Sequence, residues 1–85
     1  MLVRLYSRPG CHLCDVAREV LDAELTRTSF EFEEVNIEGD DVLELGYGIR
    51  IPVVEVDGVE RFEIDVDPVE FATLVRGSAP VPKTL

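Results

Sequence analysis

The only two cysteines of this chain stand in Cys11-His12-Leu13-Cys14, directly after the turn Ser7-Arg8-Pro9-Gly10. Two sulfurs one helical turn apart can cycle between a dithiol and a disulfide, so the simplest chemistry for the pair is thiol–disulfide exchange. The attacking species is a thiolate, and free cysteine is mostly protonated at neutral pH. A helix N-terminus corrects this, because its unpaired N–H groups and the helix dipole favour an anion. Cys11 falls at such a terminus and is assigned as the nucleophile. Cys14, at i+3, should lie deeper, beside Ala17 and Leu21, and is assigned as the resolving thiol. Arg8 is placed to bring positive charge towards Cys11, with a solvated turn arginine as the alternative. His12 should point to water, and a role in tuning the pair stands against a merely exposed polar residue.

Metal binding is the main chemical rival. A structural zinc site takes four ligands, usually from two separated pairs. The chain has one cysteine pair and one histidine, His12. These three cannot easily converge from a single helix start. No metal and no cofactor are therefore expected within one subunit, while a metal or iron–sulfur site shared by two subunits through Cys11 remains an alternative. A non-catalytic binding module is another. As a structural staple the pair would be poor, since so short a loop removes little chain entropy.

The composition sets the remaining bounds. Eighty-five residues, 46% of them hydrophobic, suit one small domain, expected over residues 1–77 with a loose tail at 78–85. The net charge of −10 excludes nucleic acid as a natural partner and would attract basic ones, although solubility alone is the plainer reading. Met1–Tyr6 is too short for a secretory signal, and no segment reaches the ~20 apolar residues of a membrane span. A soluble, monomeric protein of the cytoplasm is expected, with no membrane contact. In that compartment a C-x-x-C pair reads as redox-active or metal-binding.

Around the pair, the elements are legible. Leu2–Tyr6 reads as a buried strand. Leu13, Val16, Ala17, Val20 and Leu21 form an apolar helical stripe, ending near Leu25 or Thr26. Phe30–Ile37 reads as a strand whose alternation slips between Phe32 and Val35, which predicts a bulge or bend. Gly39-Asp40-Asp41 caps a weak helix over about Val42–Leu45. Ile51–Val56 and Val59–Ile64 flank Asp57-Gly58, a strong hairpin signal. Asp67-Pro68-Val69-Glu70 opens a helix stopped by Gly77. The order β-α-β-α-β-β-α predicts an α/β fold, a four-stranded mixed sheet with flanking helices.

The segment Tyr6-Ser7-Arg8-Pro9-Gly10-Cys11-His12-Leu13-Cys14 resembles the active-site turn of glutaredoxins, in which a strand and a basic residue precede C-P-Y-C at a helix start. Arg50-Ile51-Pro52-Val53 resembles their T-V-P segment. Tyr47-Gly48-Ile49-Arg50-Ile51-Pro52 is most similar to the stretch before the third strand of small glutaredoxin-like proteins. The resemblance runs from about Leu2 to Arg76. It implies a thioredoxin-like fold with strand order 2-1-3-4 and an enzyme reducing disulfides of proteins or small thiols at the expense of an external thiol. It also implies that Pro52 is cis, although trans is the default for an X–Pro bond, and that the Ile51 backbone pairs with a bound substrate chain. Together with the residues around the pair, this assigns Arg8, His12, Arg50, Ile51 and Pro52 as the expected substrate contacts. The chain departs from glutaredoxins after the fourth strand. Where they bind the carboxylate of glutathione through a Gly-Gly pair, it has Glu63-Ile64-Asp65-Val66-Asp67, whose side chains would repel that group. Thioredoxin fits less well, because its tryptophan before the first cysteine has no counterpart here.

Overall fold

The computed structural model describes residues 1–76. Its elements are β1 (Leu2–Ser7), α1 (His12–Leu25), β2 (Glu31–Asn36), α2 (Asp41–Tyr47), β3 (Val53–Val56), β4 (Val59–Glu63) and α3 (Pro68–Arg76). The expected stop at Gly77 and the tail 78–85 lie outside the described residues. The four strands form one sheet in the order β2-β1-β3-β4. β1 and β2 are parallel and β3 and β4 antiparallel to their neighbours, which is the expected thioredoxin-like arrangement. The β3–β4 hairpin turns through Asp57 and Gly58, both at positive φ (51° and 83°), the geometry that the Asp-Gly pair favours. No helix among the described residues is long and apolar enough to cross a membrane.

Alternate residues of the central strands serve two layers. Val3, Leu5, Val54 and Val56 pack with Ala17 and Leu21 of α1 and with Phe71 and Val75 of α3. Tyr6 and Val53 face the other way, onto Ile37 and onto Leu43 and Tyr47 of α2. This two-sided burial accounts for the irregular second strand. Phe30 and Phe32 pack on the first layer, Val35 and Ile37 on the second. The register of β2 against β1 is unbroken from Glu31 to Asn36, so the expected bulge is absent there. The sheet has its irregularity between Val54 and Glu55 instead.

Two helices also differ from expectation. α1 buries Cys14, Ala17, Leu21 and Glu24, whereas Leu13 and Val16 are exposed. The helix is rotated so that its buried side runs through Cys14, Ala17, Leu21 and Glu24 and not through Leu13 and Val16. α2 runs two residues beyond the expected single turn. Asp40 caps it, its side chain accepting from the Leu43 amide at 3.1 Å.

Glu24 ties the end of α1 to α3. Its buried carboxylate accepts from Arg76 Nε and Nη2 at 2.6 and 3.0 Å, from the Thr28 hydroxyl and from Arg27 Nη2 at 3.2 Å. The bonds from Arg76, then Thr28, pull its pKa down from 4.5 to about 2. A depressed carboxylate pKa contributes stability above the unfolded value and loses it as pH falls through the folded one. Glu24→Gln is therefore expected to lower the urea midpoint at neutral pH. The gap to wild type should close as pH falls from about 4.5 towards about 2. A gap independent of pH would contradict this assignment.

Candidate functional site

The site lies at the edge of the sheet where β1 ends and β3 begins. Tyr6, near the end of β1, pairs with Val53, the first residue of β3. Cys11 follows β1 and Pro52 precedes β3, so the C-x-x-C turn and the Ile51-Pro52 segment share this edge. The Ile51–Pro52 bond is cis, as the resemblance implied. The backbone after β4 reaches the same edge. The Ile64 amide donates to the carbonyls of Pro52 and Arg50 at 2.8 and 3.2 Å.

Cys11 is the N-cap of α1. Its Sγ accepts from the Cys14 amide at 3.2 Å, and its carbonyl accepts from Asp15 at 3.1 Å. Cys11 is half-buried, whereas Cys14 is completely buried. The two sulfurs are joined as a disulfide, with the Cα atoms 5.2 Å apart. The pair is thus placed for a disulfide, with the Cys11 residue partly exposed and its sulfur receiving a helix-terminal N–H.

The other residues singled out in the sequence have distinct placements. His12 is exposed on the first turn of α1. Arg8 turns towards α2, where its Nη2 lies 3.4 Å from Glu44, and its Nε is buried without a hydrogen-bond partner among the described residues. Arg50 is held within the chain. Its guanidinium meets Glu60 at 2.8 Å and Glu63 at 3.0 Å, donates to the Gly46 carbonyl, and lies 5.3 Å from the centre of the Tyr47 ring. Ile51 is partly buried, and its backbone makes no hydrogen bond with the described residues. Among those residues no cluster of three or more side chains could hold a metal ion.

The acidic stretch after β4 has structural employment. The amides of Ile64 and Asp65 both donate to carbonyls of the chain itself, the latter to Glu63 at 2.7 Å. Asp67 caps α3, its Oδ1 accepting from the Val69 and Glu70 amides at 2.8 and 3.1 Å. The chain's own carboxylate thereby occupies the anion position at this helix end. Ile64 has φ of 71°, a left-handed conformation that a β-branched residue adopts only when its neighbours impose it. Here the bonds to Pro52 and Arg50 impose it.

One cluster near the site went unread in the sequence. The buried carboxylate of Glu55 accepts from the Tyr6 and Tyr47 hydroxyls, each at 3.2 Å. The two rings stack with centroids 4.2 Å apart. Burial, then the proximity of Tyr6 and Glu55, pushes the Tyr47 hydroxyl pKa upward, so it stays a donor. The available signal was a single glutamate inside the apolar run Ile51–Val56, in a chain with only two tyrosines.

The model of a family described as "Glutaredoxin-like domain (DUF836)" matches residues 2–76. Among solved structures, protein XcR50 from X. campestris is 33% identical, with a TM-score of 0.73 over 92% of this chain and 99% of that one. Protein Ne2328 from Nitrosomonas europaea is 31% identical, with a TM-score of 0.68 over 89% of this chain and 86% of that one. The glutaredoxin-like protein NrdH-redoxin from Escherichia coli is similar in fold, at 20% identity and a TM-score of 0.56 over 96% of this chain and 100% of that one. No curated protein matches the chain.

Proposed function

The chain belongs to the glutaredoxin-like domain (DUF836) family, and on that premise we propose that it is a thiol–disulfide oxidoreductase working through Cys11 and Cys14. The observation that carries this reading is the unequal setting of the two sulfurs: Cys11 caps α1 and receives the Cys14 amide, while Cys14 is fully buried. In the reduced protein that amide and the helix dipole stabilise a thiolate at Cys11. The thiolate attacks one sulfur of a partner disulfide, forming a mixed disulfide and releasing the other partner sulfur as a thiolate, which takes up a proton. Cys14 gives up its proton and attacks Cys11 Sγ. The Cys11–Cys14 disulfide forms, and the second partner sulfur leaves as a thiol. Two electrons have passed to the partner. An external thiol reductant returns them and restores the dithiol.

Ile51 supports a protein partner, because its free amide and carbonyl can pair with an extended chain laid beside Cys11. Glutathione is the less suited reductant. The amides of Ile64 and Asp65 are engaged within the chain, and Asp67 already fills the N-terminus of α3. E. coli NrdH-redoxin is described as a glutaredoxin-like protein with a thioredoxin-like activity profile, and this site is suited to the same combination. The test is insulin reduction with dithiothreitol as reductant, followed by precipitation of the freed chain. Catalysed precipitation well above the rate with dithiothreitol alone is expected. A rate equal to that background would refute the reading.

A further inference from the structure

We propose that the outer face of α2 docks the disulfide-bearing partner, and that this partner presents apolar side chains flanked by lysine and arginine. This rests on the oxidoreductase reading and names the class of its substrate. The inner side of α2 is spent on the fold, with Leu43 and Tyr47 packed on Tyr6, Ile37 and Val53. On the outer side Val42, Leu45 and Ile49 are 79%, 91% and 95% exposed. Their i, i+3, i+7 spacing places them on one face of the helix and the turn that continues it. A lone exposed apolar residue is ordinary, but three adjoining ones form the kind of patch that marks an interaction surface.

Gly46 lies on the same face. A Cβ there would meet nothing within 4 Å, and its φ is not positive, so the fold does not require glycine. Glycine weakens a helix, yet here it keeps the middle of the apolar face flat for a close approach.

α2 is tied to the turn that carries the dithiol. Arg8, three residues before Cys11, reaches Glu44 of α2, and a Cβ on Gly48 would lie 3.7 Å from its Nη2. From Ile49 the chain runs through Arg50 and Ile51 directly into Pro52. A partner seated on α2 would follow this segment towards the end of the sheet that carries Cys11.

Charge selects the occupant. Glu38 and Asp41 are exposed at the start of α2 with no ion-pair partner among the described residues, whereas Glu44 is paired with Arg8 and Arg50 with Glu60 and Glu63. A second copy carries the same net charge of −10 and is repelled, whereas a basic partner is steered in. Three side chains fall short of the ~800 Å² per partner of a stable complex, which suits a substrate that must leave.

The test compares three substrates under one dithiol reductant: hydroxyethyl disulfide, a cyclic peptide whose disulfide is flanked by leucines and lysines, and the same peptide with glutamates for lysines. Wild type should reduce the lysine peptide about tenfold faster than the glutamate peptide, an advantage that salt erodes. The double variant Leu45→Ser, Ile49→Ser changes only exposed side chains. It should lose roughly tenfold in kcat/KM on the lysine peptide, with hydroxyethyl disulfide unaffected. Gly46→Ala should fold at least as well as wild type and show a smaller loss of the same kind. Equal rates of wild type and double variant on the lysine peptide would overturn the proposal. So would a concentration-dependent dimer that the double variant abolishes, which would assign the face to a second copy. Failure of wild type on all three disulfides would instead sink the oxidoreductase reading, and this proposal with it.

Discussion

Replacing Cys11 by serine should reduce insulin reduction to background, a loss of roughly 10⁴-fold or more over the catalysed rate. Serine keeps the N-cap, since its hydroxyl accepts the Cys14 amide at least as well as sulfur does. Loss of activity in a folded Cys11→Ser protein therefore reports on the nucleophile and not on the helix. Cys14→Ser should behave differently. Cys11 still attacks, but the intramolecular step that frees the partner is gone. The mixed disulfide should accumulate and appear as a covalent adduct of this chain with one substrate chain. Cys14 is fully buried, so its serine variant also places a hydroxyl in an apolar setting, at a cost of about 1–3 kcal/mol. A folded Cys14→Ser protein that accumulates no adduct would reverse the assignment of the two sulfurs.

The second large effect is on stability. Phe71 is the largest fully buried side chain. It meets Phe30 and Phe62 edge-on, with centroids 5.7 and 6.3 Å apart, and so joins α3 to β4 and to the segment entering β2. Phe71→Ala should cost about 3–5 kcal/mol, from lost transfer energy and the cavity left behind. A small domain has only about 5–15 kcal/mol in total, so the variant should lose a large share of its stability and unfold at a much lower urea concentration. Urea unfolding measures this directly. A loss under about 1 kcal/mol would mean that α3 is not the keystone of this layer.

What could be read from the sequence follows from where local rules suffice. The strand–turn–helix around Cys11, the Asp57-Gly58 turn and the Asp67 cap are local chemistry, and the structure has all three. The rotation of α1 was not legible. Leu13 and Val16 fit the apolar helical period better than Glu24 does, yet Glu24 is buried, held by Arg76 of α3, Thr28 and Arg27, contacts from outside the period. The slip in β2 reads as a bulge or bend under single-face alternation, whereas Val35 and Ile37 serve the second layer. The Glu55–Tyr6–Tyr47 cluster and the positive φ of Ile64 depend on contacts between distant segments, which no local pattern reports. The cis bond before Pro52 was legible only through the resemblance to glutaredoxins.

The central claim is that Cys11 and Cys14 form one exchanging redox pair. Its most direct test is equilibration of the protein in glutathione buffers of graded potential, with quenching and mass analysis. A single reversible two-electron transition between the dithiol and the Cys11–Cys14 disulfide is predicted, without a persistent glutathione adduct. Cysteines that stay reduced across the whole range, or that each end capped by glutathione, would contradict it.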